Sequence, residues 1–227
     1  MELLTASHRP AAAPPDRVDG RHARRQRGRL AAIDATFDLI VEGHAPPTAE
    51  QVAARAGISL SSLFRYFETL TEMQLEAFNR FAERYLHLIT DPAPPDVDPA
   101  VTPTAALAAR AISFAERRVA LFADTAPIVA LAERRSIDTP IIARRLIGLR
   151  RQLADQTRRW FAPELDAMPS PDATASVALV DSIASVAGYR LFIEVHGLGR
   201  DRIAAAWSEA IAAVIAATGH DVVGGRP

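Results

Sequence analysis

The sequence predicts an all-α fold in two parts: a small N-terminal headpiece of three helices in helix-turn-helix form, and a larger C-terminal helical body. Three observations predict it. Apolar residues recur at three- and four-residue intervals through most of the chain, and no stretch alternates as a strand would. Thr102-Pro103, Thr139-Pro140 and Ser170-Pro171 each put a capping hydroxyl before a proline, whose missing N–H costs nothing at the first helical position. Between Thr48 and Phe67, two short helical patterns meet at Gly57.

Composition sets the bounds. A chain of 227 residues that is 49% hydrophobic has ample apolar surface for a core built by packing alone. It has no cysteine, which removes disulfides, thiolate zinc sites and a cysteine nucleophile, and fits a reducing cytoplasm. No run of about 18 apolar residues occurs and the first 30 residues lack the apolar core of a secretion signal, so the chain reads as soluble and cytoplasmic, with no membrane partner. The formal charge of −1 argues against a protein that coats nucleic acid indiscriminately. Locally the balance differs: Arg21, Arg24, Arg25, Arg27, Arg29, Arg55 and Arg65 outnumber Asp34, Asp38, Glu42 and Glu50 between Arg21 and Phe67.

Taken in order, residues 1–20 are rich in Ala, Pro and charge without periodicity, and predict a disordered arm. The basic run from Arg21 to Arg29 leads into a helix with Leu30, Ile33, Phe37, Ile40 and Val41 on one face, ended by Gly43. Pro46-Pro47 then turn the chain. Thr48 and Gln51 have the form of a capping box for a helix that buries Val52, Ala53 and Ala56. After Gly57, Ser59 caps a second helix carrying Leu60, Leu63, Phe64 and Phe67, with Ser61 and Ser62 on its polar side. Such a pair is the motif whose second helix enters the DNA major groove. The headpiece therefore spans 21–68.

The body is assigned to 69–219. Thr69 opens a long helix to about Ile89, with Met73, Ala77, Phe81, Tyr85 and Leu88 along one side. The prolines between Asp91 and Pro103 predict a loop. Helices follow near 103–123, 126–137, 140–161, 171–196 and 201–218, with 220–227 a tail. In the last two, Val180, Ala184, Ala187 and Leu191, and then Ile203, Trp207 and Val214, form narrow apolar stripes that call for partner helices.

The order of residue types across Val52-Ala53, Ala56-Gly57-Ile58-Ser59 and Leu63-Phe64-Arg65-Tyr66-Phe67 closely resembles the DNA-binding segment of the TetR family of bacterial transcriptional regulators. The motif resemblance covers roughly residues 28–80. It implies a homodimer in which the two C-terminal helices pair with their copies, and a pseudo-palindromic double-stranded operator. It further implies a small-molecule effector that releases a repressor from that operator. The expected DNA contacts are Thr48, Ser59, Leu60, Ser61, Ser62, Arg65 and Tyr66, with Arg24, Arg25 and Arg27 from the basic run reaching an adjacent minor groove. The expected dimer residues are the seven of the two stripes. Phe114, Arg117, Phe122, Trp160, Tyr189 and Phe192 are the candidate pocket wall, and an arginine buried among such aromatics would favour an acidic ligand.

Two departures from the family pattern matter. Phe64 stands where the family usually has tyrosine and cannot donate a hydrogen bond, which leaves it to the core. Where the family usually opens the next helix with lysine, this chain has Glu68-Thr69-Leu70-Thr71. They motivate the alternative of a dimeric helical scaffold whose headpiece has weakened or lost DNA binding. No histidine pair at metal-binding spacing, glycine-rich phosphate loop or nucleophile elbow occurs, so no catalytic residue, metal or cofactor is expected.

Overall fold

The computed structural model describes residues 17–90, 94 and 100–220, all-α as the sequence predicts and with no strand among the described residues. The helices are α1 (Arg17–Val41), α2 (Ala49–Arg55), α3 (Leu60–Tyr66), α4 (Leu70–Thr90), α5 (Pro103–Ser136), α6 (Pro140–Trp160), α7 (Ala162–Leu165), α8 (Ser170–Ile183), α9 (Val186–Arg190) and α10 (Arg200–His220). A π-helical turn, Leu191–Val195, continues α9. Residues 1–16 of the expected arm, 221–227 of the expected tail and most of the proline-rich loop lie outside the described residues.

Two apolar clusters organise the chain. Ala32, Ile33, Ala35 and Leu39 of α1 pack with Ala49, Val52, Ala53, Leu63 and Phe67 and with Met73 and Ala77 of α4. The other faces of the same two helices, through Phe37, Ile40, Phe78 and Phe81, join the large cluster formed by α5, α6, α8 and α10. A boundary at residue 68 therefore cuts the headpiece core, because α4 belongs to both clusters. α1 and α4 together join the two clusters.

Three boundaries differ from the expectation, each for a physical reason. The chain is helical from Arg17, through residues 17–20 of the expected arm and the basic run, because a packed helix downstream removes the nucleation cost for the arginine-rich turns before it. The expected break near 124 is absent and α5 runs through Pro127. A proline inside a helix costs about 3 kcal/mol. Leu121, Phe122, Ile128, Val129 and Leu131 are all buried around it, and at roughly 1.5–3 kcal/mol for each large side chain the packing outweighs that cost.

The third difference is a break where the sequence predicts one helix over 171–196. Ala184 leaves helical geometry at φ −89°, ψ 52°, and Ser185 caps a new start by accepting from the Gly188 amide at 2.9 Å. Gly188 is required here. A Cβ at that position would stand 2.5 Å from the Ile183 carbonyl oxygen.

The break has a consequence for the predicted dimer seam. Val180, Ala184, Ile203 and Trp207 are buried within the single chain, Trp207 edge-on to Phe122 and Phe192 at ring distances of 6.2 and 6.3 Å. Val214 is half-buried against the same core. These side chains close the subunit, and only Ala187 and Leu191 of the predicted set are exposed. Stripe spacing in the sequence locates an apolar face but does not say which neighbour covers it.

Trp207→Asp should therefore unfold the chain instead of dividing a dimer. Truncating a buried Trp costs about 3–5 kcal/mol, and a carboxylate buried there adds a further desolvation penalty. The expected result is lost helical circular dichroism. A folded monomer would return Trp207 to a subunit interface.

Candidate nucleic-acid interface and ligand cavity

The headpiece caps form as the sequence predicts. Thr48 Oγ1 accepts from the Gln51 amide at 3.2 Å, while the Thr48 amide donates to Gln51 Oε1 at 2.8 Å. Gly57, at φ +65°, makes the turn that a side chain would strain. Ser59 Oγ accepts from the Ser62 amide at 3.2 Å and meets the Ser61 and Ser62 hydroxyls at 3.0 and 2.9 Å. Arg65 Nη2 donates to Ser62 Oγ at 3.2 Å. The polar residues of α3 are thus held in one hydroxyl–guanidinium chain.

Leu63 and Phe67 are the buried residues of that segment, and Tyr66 packs partly against the same core. Leu60, Ser61, Phe64 and Arg65 are exposed, and Ser62 and Tyr66 half-buried. Phe64 is 53% exposed, which corrects its assignment to the core. Its spacing from Leu60 puts both apolar groups on the outward face, one turn apart. An apolar ridge beside serine hydroxyls suits thymine methyls and weak polar readout.

α1 flanks this surface. Arg25 Nη2 donates to the Arg65 carbonyl oxygen at 3.4 Å. The Tyr66 ring lies over Gly28, where a Cβ would meet its Cε2 at 2.8 Å. Arg24, Arg25 and Arg27 are exposed. A helix about 10–12 Å across does not enter a minor groove about 6 Å wide. In the structure these three arginines stand on helix α1 and not on an extended arm.

Two other arginines of the basic excess are already engaged. Arg29 pairs with Glu72 and Glu76 of α4 and lies 4.8 Å from the Phe67 ring centroid, which bolts α1 to α4. Arg55 forms a two-pronged pair with Glu42 at 2.8 and 2.6 Å; this pair holds the Glu42 carboxyl below its ordinary range and raises Arg55. After α3, Glu68 and Thr69 are exposed and Leu70 is 38% exposed.

The body contains a cavity of about 300 Å³ between α4, α5, α6 and the α8–α9 break. Phe122 alone of the predicted pocket wall lines it. Phe114 and Trp160 pack edge-on at 5.6 Å away from it, Arg117 lies over Trp160 on the surface, and Tyr189 and Phe192 surround Phe122 and Trp207. The wall that the sequence did not single out comes from α4, as Phe81, Tyr85, Leu86 and Ile89, and from Leu121, Thr125 and Val129 on the same face of α5 as Phe122. The four- and eight-residue spacing of these α5 residues is the signal that could have found them.

Arg118 is the hub of this region and is 2% exposed. Its Nε donates to Gln156 Oε1 at 2.9 Å and its Nη1 to the Ala184 carbonyl at 3.3 Å. Nη2 reaches the Leu153 carbonyl, Thr157 Oγ1 and Asp181 Oδ1 at 2.8, 3.1 and 3.4 Å. The helix break supplies one of these acceptors, since the carbonyl of Ala184 has left the α-helical pattern. Burial pulls Arg118 down to about 10, partly opposed by Asp181, so it stays charged at neutral pH. Burial also pushes the Asp181 carboxyl up, against the pull of Arg118 and Thr157. Gln156 Nε2 donates on to the Leu88 carbonyl at 3.1 Å and Arg159 to that of Ile89 at 3.0 Å, which ties the end of α4 to the hub.

No family model and no curated relative matches this chain. Among solved structures it is similar to a transcriptional regulator from Rhodococcus sp. Rha1, at 20% identity over 86% of this chain and 95% of that one, with a TM-score of 0.54. A candidate transcriptional regulator from Streptomyces coelicolor A3(2) aligns at 19% identity over 83% of this chain and 98% of that one, with a TM-score of 0.49. At such identity the first likeness is one of fold.

Proposed function

We propose that this chain is a DNA-binding transcriptional regulator of the TetR type: a cytoplasmic homodimeric repressor, without enzymatic activity, that a small molecule releases from a pseudo-palindromic operator. The observation that carries the reading is α3. It is capped by Ser59, packed through Leu63 and Phe67, and presents Leu60, Ser61, Phe64 and Arg65 outward beside the arginines of α1. Thr48 and Tyr66 sit at its edges, where phosphates would pass.

Two such helices read half-sites about 34 Å apart, or multiples of that, only if two chains are joined. The surface left for joining is the outer face of the C-terminal helices. The stretch Ser170–Val195 is apolar by composition, with a mean hydropathy of 1.4 in its most apolar window, yet only 28% of that window is buried in the single chain. Leu179, Leu191 and Val195 stand out from it, and the outer side of α10 is lined with alanines, including Ala205, Ala213 and Ala216. Small side chains allow close helix approach. What supports control by ligand is α4, whose C-terminal half lines the cavity and whose N-terminal half packs in the headpiece. A ligand that prefers one position of α4 shifts the spacing of the two headpieces.

Glu68 and the exposed Leu70 favour the competing reading of a scaffold with a silent headpiece, since neither attracts phosphate. Selection of bound duplexes from a random DNA pool separates the two. Recovery of a two-fold-related sequence is expected, and recovery of nothing by folded protein would favour the scaffold. On the recovered site, the triple change Arg24→Gln, Arg25→Gln, Arg27→Gln should lower affinity and flatten the salt dependence by about 0.9 in log–log slope for each phosphate no longer neutralised. An unaltered slope would make the α1 arginines bystanders.

A further inference from the structure

Resting on the ligand-controlled regulator proposed above, we infer that the cavity takes an uncharged apolar molecule with a small hydrogen-bonding head, and rejects acids and amines. The reason is charge balance. The titratable side chains that line the cavity are Tyr85, Arg118, Glu133, Arg150 and Asp181. Arg118 faces Asp181 at 3.4 Å, and Arg150 pairs with Glu133 at 3.0 Å toward the rim. Tyr85, raised by its burial, is neutral at physiological pH. Every charge on the wall has its opposite beside it.

An anion would find Arg118 already surrounded by five acceptors, and a cation would find Asp181 already accepting from Thr157 at 2.7 Å and from Arg118. Either ion would give up its hydration for a partner already committed elsewhere, and a buried charge without a partner is strongly disfavoured. The remaining wall is mainly aliphatic and aromatic, through Phe81, Leu86, Leu121, Phe122, Val129 and Leu146, with Thr125, Gln152, Ser182 and Ser185 as its neutral polar members. Some polar capacity is left for a head group. Nη1 of Arg118 has two hydrogens and one acceptor, the Ala184 carbonyl, and the hydrogen bonds to Asp181 fall on Oδ1. These two groups, with neutral hydroxyl and amide side chains such as Tyr85 and Gln152 on the wall, select a hydroxyl, ester, amide or carbonyl on an apolar frame.

The test uses the full-length protein and the fluorescent probe N-phenylnaphthylamine, displaced at neutral pH by decanol, decanoate and decylammonium. Decanol should displace the dye at a concentration lower by about tenfold or more than either ion. Asp181→Asn removes the internal anion while keeping the shape, and in that variant decanoate should gain on decanol. A general preference for apolar molecules would not produce that shift. Ala82→Trp and Leu149→Trp, each filling the chamber from a half-buried wall position, should abolish dye binding with helical content unchanged. The inference is overturned if decanoate or decylammonium wins on the unmodified protein, if neither dye nor decanol binds, or if Asp181→Asn leaves the order and ratios unmoved. Operator release is measured separately. Decanol binding without release would sink ligand control and leave the ligand class standing.

Discussion

Arg118→Met should destabilise the chain by about 3–5 kcal/mol, the usual cost of removing one partner from a buried ion pair. The side chain donates to five acceptors at the junction of α5, α6 and the α8–α9 break, and methionine fills its volume without any of its donors. What remains is Gln156 Oε1 and the Ala184 carbonyl without the donor they had, and a buried Asp181 that keeps Thr157 but loses its countercharge. Their desolvation has already been incurred. Equilibrium urea unfolding followed by circular dichroism measures the loss, and a change under about 1 kcal/mol, near the value of one ordinary hydrogen bond, would show that Arg118 does not buttress the body. Arg118→Met combined with Asp181→Leu should recover part of it, because the orphaned anion goes as well.

The pH dependence of that variant has a definite sign. The folded-state pKa of Asp181 is already raised by burial, and losing Arg118 raises it further. An acid whose folded pKa lies above its unfolded one binds more protons when folded in the window between the two, so stability rises as pH falls through the folded value. The deficit of Arg118→Met should therefore shrink on mild acidification. A deficit that grows would assign the loss to carboxylates elsewhere.

The headpiece was legible in the sequence because its determinants are local. The Thr48–Gln51 box, Gly57 and the Ser59 cap each act within four residues, and they form as their spacing predicts. The body was legible only as helices. Pro127 reads locally as a stop, yet the buried neighbours on both sides keep α5 continuous. Val180, Ala184, Ile203 and Trp207 read as a seam, but whether a stripe faces its own chain or another depends on packing partners far away in sequence. The cavity shows the same limit. Of the large aromatics that the sequence singled out for the pocket wall only Phe122 borders the chamber, which is otherwise bounded by α4 residues and by middling residues such as Leu121, Thr125, Val129 and Leu153. Its chemistry also turns on neighbours that sequence does not show: a buried arginine alone suggests an acidic ligand, but the acceptors of Arg118 come from α6 and the helix break.

If the outer face of α8–α10 joins two copies, Leu179→Glu with Leu191→Glu should yield folded monomers, read by light scattering. Both side chains are about half exposed in the single chain, 51% and 49%, so the substitution costs the subunit little, unlike Trp207→Asp. In a dimer joined through this face each would place a carboxylate against an apolar partner face. Operator affinity should fall with the dimer. Two tethered headpieces bind with an avidity that exceeds a single one by roughly 10²–10⁴, and that factor is what the monomer forfeits while α3 itself is untouched. A variant that stays dimeric places the interface on another face. A clean monomer that keeps full operator affinity would instead mean that one headpiece suffices, and would remove the geometric reason for a two-fold operator.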